Sequence, residues 1–195
     1  MIKFNLRNPE IQTAQRVMRN CRSIDRTRGE AYLRQFTRDV KGLRLFYTRS
    51  FPAKHCTKRH SAIIAPIELD GMCIGVHAIR LDRRGRFYDY DWHRLGNMGA
   101  MTLRLGKPNK IIIGEKIEHV LAIASDYPRD YTLIATGTAA GLATYLPPRA
   151  NGNDVIIVPV NDVASQAAAA SLLSYVTAHG TPNRVRIVER MEYTP

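Results

Sequence analysis

Acidic residues stand just past the ends of two short apolar runs. Glu115 and Glu118 follow Ile111-Ile112-Ile113-Gly114, and Asp162 follows Val155–Val160 with Asn161 between. Carboxylates gathered at neighbouring strand ends suit Mg²⁺, which takes a few hard oxygen ligands and keeps several waters. The same residues lie where helices begin, and there an acid also complements the positive end of the helix dipole. The elements that carry them decide between the two readings.

Basic residues are the second chemical feature. Lys54, Lys58 and Arg59 form one group, Arg80, Arg83, Arg84 and Arg86 cluster around a turn, and Lys107 and Lys110 lead into the 111–113 run, with Lys116 between Glu115 and Glu118. Residues 1–110 hold 23 Lys+Arg against 9 Asp+Glu, a net +14, whereas residues 111–195 hold 6 against 8, a net −2. So uneven a split points to a polyanion, most directly the phosphates of a nucleic acid, which such side chains would position without reading its sequence. A merely solvating basic surface is the competing reading. Tyr88, Tyr90 and Trp92 alternate along one segment. Alternate residues share a face, which serves either base stacking or ordinary strand packing.

Other chemistries find little support. His55, Cys56 and His60 lack the paired spacing of a structural zinc site, so no zinc is expected. Gly137 and Gly141 make no dinucleotide fingerprint, no organic cofactor is expected, and no Ser or Cys triad stands out. Cys21, Cys56 and Cys73 are odd in number and irregular in spacing, which fits a reducing cytoplasm rather than a disulfide framework. No apolar run approaches the roughly 20 residues of a membrane span, and the N-terminus has no secretory signal pattern.

The elements that must position these residues fall into two kinds. Asn8-Pro9-Glu10 opens a helix with a buried stripe of Ile11, Ala14, Val17, Met18 and Cys21. Thr27 and Glu30 form a capping box for a second helix with Ala31, Tyr32, Leu33 and Phe36 on its apolar side. Leu43–Thr48, Ala62–Leu69 and Met72–Leu81 read as strands, the last two joined at Asp70-Gly71, a strong hairpin signal. From about residue 101 strands and helices alternate: strand 111–113, helix Glu115–Ser125, strand Tyr131–Thr136, helix Thr138–Leu146 stopped by Pro147-Pro148, strand Val155–Val160, helix Asp162–His179 ended by Gly180, strand Arg184–Glu189. That order implies a mostly parallel sheet with ligands at the carboxyl ends of its strands. The expected organisation is a basic α+β region over 1–100 and an α/β domain over 101–195.

A family resemblance attaches to these segments. Ile112-Ile113-Gly114-Glu115-Lys116-Ile117-Glu118-His119-Val120-Leu121-Ala122 is similar to the strand–Glu–helix signature of Toprim domains in phage and plasmid DNA primases. Ile134–Leu142, with Leu146-Pro147-Pro148 after it, resembles the next unit of those domains, and Val155–Ser165 stands where the family carries its Asp-x-Asp motif. Upstream, Ala62–Asp82, with Asp70-Gly71, Gly75-Val76-His77 and Leu81-Asp82, is similar to the domain that precedes Toprim in these primases, and Ala14–Leu33 to that domain's opening. The motifs together span most of the chain.

The resemblance implies an α/β fold, a Toprim-like mostly parallel sheet flanked by helices and preceded by a smaller α+β region with a β-hairpin. It also implies a Mg²⁺ site for phosphoryl or nucleotidyl transfer, with Glu115 at the essential Glu and Asp162 at the second Asp. The first Asp falls on Val160, which has no ligand atom; Lys116 replaces a usual Gly, and Ala78 replaces a basic residue. The 195 residues contain neither the zinc module nor the helicase that accompany this region in the family's enzymes. The expectation is therefore a cytoplasmic nucleic-acid-binding Toprim-like protein related to mobile-element primases, with impaired or no catalysis, weak Mg²⁺ binding at most, and single-stranded DNA as ligand by analogy. Two alternatives stay open. One is an active Mg²⁺-dependent primase or nuclease using Glu115, Glu118 and Asp162. The other is an inhibitor that binds a protein of a replication or defence machine.

Overall fold

The computed structural model describes residues 7–53, 56–87, 93–146, 153–179 and 182–188. The chain divides into two compact units, one of residues 1–35 with 40–99, the other of residues 36–39 with 100–195.

In the first unit, α1 (Pro9–Arg19) begins where the Asn8 side chain accepts the Glu10 N–H at 2.8 Å, and Pro9 occupies a position whose N–H would have no helical partner. Ile11, Ala14 and Val17 form its buried stripe. After β1 (Arg22–Ser23), Thr27 caps α2 (Arg28–Leu33) by accepting the Glu30 N–H, and the Glu30 carboxylate takes the Arg26 N–H. Tyr32 and Leu33 are buried there, but Ala31 is exposed.

Strands β2 (Phe46–Ala53), β3 (Cys56–Leu69), β4 (Met72–Leu81) and β5 (His93–Gly96) complete an antiparallel sheet in the order β1-β2-β3-β4-β5. Asp70 and Gly71 both have positive φ, 50° and 77°, so the β3–β4 hairpin closes through a two-residue turn with Leu69 opposite Met72. Side chains alternate across the sheet. Ala14 and Val17 of α1 pack with Phe51, Ala62, Ile64, Val76 and Ala78 on one face. The α2 segment lies against the other, where a Cβ on Gly29 would stand 2.6 Å from Ile24 Cδ1 and 3.0 Å from Ile63 Cγ1.

Two expected strands prove misplaced or short. The strand expected at Leu43–Thr48 runs Phe46–Ala53, and the one expected at Ala62–Leu69 begins at Cys56. The added portions pair with each other, Phe51 with His60 and Ala53 with Cys56. Backbone pairing defines this extension, so it needs no apolar alternation, and charged residues hid it from a hydropathy reading.

The second unit contains β6 (Met101–Arg104), β7 (Lys107–Gly114), α3 (Ile117–Ala124), β8 (Tyr131–Ala135), α4 (Ala139–Ala143), β9 (Asn153–Val158), α5 (Val163–His179) and β10 (Pro182–Ile187). Its sheet has the order β10-β9-β7-β8-β6, parallel except for β6, which runs antiparallel to β8. Ile111, Ile113, Val155 and Ile157 pack with Leu142, Ala169, Leu172 and Val176. Ile112 and Ile156, which alternate with them, are also fully buried. A sheet covered on both faces accounts for the continuous apolar runs of its central strands.

The expected boundaries shift at the strand ends. The helix expected from Glu115 starts at Ile117; Glu115 lies in the bend just past β7, where its carbonyl accepts the Gly137 N–H at 2.8 Å. Strand β9 stops at Val158, before Pro159, which has no N–H to give a ladder. No helix among the described residues is long and apolar enough to cross a membrane.

Candidate functional site

The parallel ladder brings the acidic segments to one rim. Gly114 at the end of β7 lies beside Val158 of β9 and Ala135 of β8, so residues 115–118, 136–138 and 159–162 leave the sheet at adjacent carboxyl ends. Gly114 is there because the strands approach closely: a Cβ would stand 2.6 Å from Val158 O and 2.9 Å from Val120 Cγ2. The β7–β8 edge is tied further by the Thr136 N–H, which donates to Gly114 O at 2.9 Å. Thr138 caps α4 by accepting the Gly141 N–H at 3.0 Å.

Within this rim the acids have different situations. Glu115 is half-buried, and its Oε2 is buried with no hydrogen-bond partner. Glu118 sits in the first turn of α3, half-exposed. Lys116 is the extended residue at the start of that helix and makes no side-chain cap. Asp162 is exposed and occupied as a helix cap: its Oδ1 accepts the Ser165 N–H at 2.7 Å, while the fully buried Ser165 hydroxyl accepts the Val160 N–H at 2.9 Å. An Asp at a helix start serves as an N-cap as readily as a metal ligand, and here it caps. Val160 contributes only backbone. Among the described residues, no three His, Cys, Asp or Glu side chains gather as a group that could hold a metal ion.

The basic residues also separate. Arg83, Arg84 and Arg86 are exposed on the turn after β4. Asp82 shapes that turn: its Oδ1 accepts the N–H groups of Arg84 and Arg86, and its Oδ2 accepts Arg86 Nε at 3.1 Å. The backbone hydrogen bond from Arg86, foremost, holds the Asp82 carboxyl below its usual range. Arg80 is 5% exposed, two residues beyond Ala78 on the same face of β4, and so does not share the solvent position of its neighbours. Lys107 and Lys110 both pair with Asp130, at 3.3 and 2.8 Å, and the Lys110 hydrogen bond leads in lowering the Asp130 pKa. Lys54, His55, Tyr88, Tyr90, Trp92, Pro147, Pro148 and Gly180 lie outside the described residues, as do the side chains of Cys56, Lys58 and Arg59.

One charged group escaped the sequence reading. Arg104 on β6, its side chain 12% exposed, donates through Nη1 to Asp39 Oδ2 at 3.4 Å, and Arg129 Nε donates to the same oxygen at 2.8 Å. Asp39 is 65 residues away along the chain, so no local pattern signals it. Counted by unit, the first carries 19 Lys+Arg against 8 Asp+Glu, a net +11, and the second 10 against 9, a net +1.

An antiparallel sheet followed by a mostly parallel α/β sheet defines a two-unit α/β protein whose excess positive charge lies in the first unit. The chain belongs to the family described as a domain of unknown function, DUF7146, whose model matches residues 8–106. The match takes in the described elements of the first unit and β6, and it stops short of the carboxyl rim. A crystal structure of a DNA primase domain from Pseudomonas aeruginosa is similar at a TM-score of 0.40 and 17% identity, over 79% of this chain. The similar region spans half the length of that chain, and a likeness this slight carries no argument. No curated protein matches the sequence.

Proposed function

We propose that the protein binds nucleic acid through its first unit, and that its second unit is a Toprim-like α/β domain with little or no catalysis. The observation that carries the reading is the concentration of charge, a net +11 on the first unit against +1 on the second. A surface that neutralises phosphates releases counterions, so binding must weaken steeply with salt. Single-stranded DNA is the ligand chosen, by the sequence resemblance to primase Toprim domains.

The loss of catalysis follows from the rim. Mg²⁺ needs several oxygen ligands free to face it. Here position 160 is Val and Asp162 Oδ1 is taken up by a helix N–H. The donor set does not fit a resident Mg²⁺. One observation favours the alternative, an enzyme using Glu115, Glu118 and Asp162: the buried, unpartnered Oε2 of Glu115. Binding of labelled single-stranded DNA across a potassium chloride series tests the main reading, and the expected result is an affinity that falls linearly on log–log axes. Absence of binding at low salt defeats it. Metal-dependent primer synthesis or cleavage that disappears in Glu115→Gln establishes the alternative instead.

A further inference from the structure

We propose that a single nucleic-acid strand docks at one end of the first unit's sheet, where the 82–87 turn meets the start of α2, with Phe87 stacking on a base; this deepens, and rests on, the nucleic-acid reading above. Three features of that end converge. The turn presents Arg83 and Arg84 to solvent, while Asp82 is consumed by the turn's own N–H groups and by Arg86. Asp82 thus offers little repulsion to a phosphate. Arg28 lies beside the same turn: a Cβ on Gly85 would stand 3.3 Å from Arg28 Cβ, and Arg28 is exposed.

The third feature is aromatic. Phe87 is 37% exposed, and a backbone bridge to Leu81 fixes it at the foot of the turn. Exposed arginines on the same turn as a part-exposed ring suit a single strand, whose phosphates meet the cations while an unstacked base lies on the ring; a duplex hides its base faces. Ser61 pairs with Leu81, so the backbone of β3 before Ser61 runs past the end of β4 on this side. Lys107 and Lys110, by contrast, share Asp130 and offer less net charge.

The test is fluorescence anisotropy of the full chain with a labelled oligothymidylate and with a duplex of equal length, across a salt series. The triple variant Arg28→Ala, Arg83→Ala, Arg84→Ala is expected to bind more weakly and to flatten the log–log salt slope by about 2, since each lost contact to a single strand removes roughly 0.7. Phe87→Ala is expected to weaken oligothymidylate binding roughly tenfold at unchanged slope, the signature of a lost stacking partner. Arg184→Ala, a basic position exposed on β10, is expected to change neither. If the unaltered protein binds and both variants match it, this surface is wrong while the nucleic-acid reading stands. If the duplex binds as tightly as the single strand and Phe87→Ala is silent, the stacking assignment is wrong. If the unaltered protein binds neither, the broader reading fails and this one with it.

Discussion

Replacing Asp162 separates a helix cap from a metal ligand. Its Oδ1 accepts the Ser165 N–H at 2.7 Å at the head of the 17-residue α5. Removing a capping side chain costs about 1 kcal/mol, and losing a negative charge at a helix N-terminus about 0.5 kcal/mol more. Asp162→Ala therefore lowers stability by about 1.5 kcal/mol, the sum of those two effects. In a unit of about 100 residues each kcal/mol shifts the melting temperature by roughly 4–8 °C. Asn and Ser keep a capping oxygen, so Asp162→Asn and Asp162→Ser lose only the charge contribution, about a third of the Ala effect. Thermal unfolding followed by circular dichroism, with and without Mg²⁺, reads both quantities. The cap assignment predicts the order Asp, then Asn and Ser, then Ala, with no response to Mg²⁺. If Mg²⁺ raises the melting temperature of the unaltered protein and Asp162→Asn abolishes that gain, the carboxylate holds a cation and the reasoning is refuted.

Other outcomes follow from the same rim and from the opposite end of the second sheet. Gly114→Ala forces a Cβ to within 2.6 Å of Val158 O, so it is expected to destabilise by about 1–3 kcal/mol in chemical denaturation; an unchanged midpoint would mean the strand ends are further apart than described. Val160→Asp adds a carboxylate to the rim that carries Glu115 and Asp162 and is expected to add Mg²⁺ binding by calorimetry; no gain removes position 160 from any shared cation shell. Asp130 is held below the usual carboxylate range first by Lys110. Its stabilisation is complete above the unfolded pKa and is lost as pH falls, so Asp130→Asn flattens the stability curve below about pH 4. Burial first, then the hydrogen bond to Asp154, pushes Tyr131 to about 12. That contribution is whole below an unfolded pKa of about 10 and is lost as pH climbs towards 12, so Tyr131→Phe flattens the alkaline limb.

Elements whose order comes from local chemistry were legible in the sequence. The Asn8 and Thr27 caps, the Asp70-Gly71 turn and the apolar centres of β7 and β9 all announce themselves within a few residues. The outer half of the β2–β3 hairpin was not legible, because cross-strand pairing rather than hydropathy holds it. Position along a strand likewise misled over Arg80: its neighbours in the turn are exposed, yet it lies on a covered face. At the candidate site the meeting of the two strand ends could be read from the alternation of strands and helices. The actual partner of Asp162 could not be chosen from spacing, since a carboxylate before a helix serves a cation or an N–H equally well. The Asp39–Arg104 pair bridges 65 residues and left no trace in any local pattern.

The four-residue strap Phe36–Asp39 has a consequence for the order in which the chain comes together. It belongs to the second unit, where Asp39 receives Arg104 and Arg129 and the Ser125 hydroxyl lies 3.2 Å from Thr37 Oγ1. Yet it is synthesised ahead of most of the first unit. During translation the strap waits 65 residues for Arg104, the first of these partners, and Ser125 follows Thr37 by 88. A fragment of residues 100–195 would begin life with the shielded guanidinium of Arg104 lacking its Asp39 counter-charge.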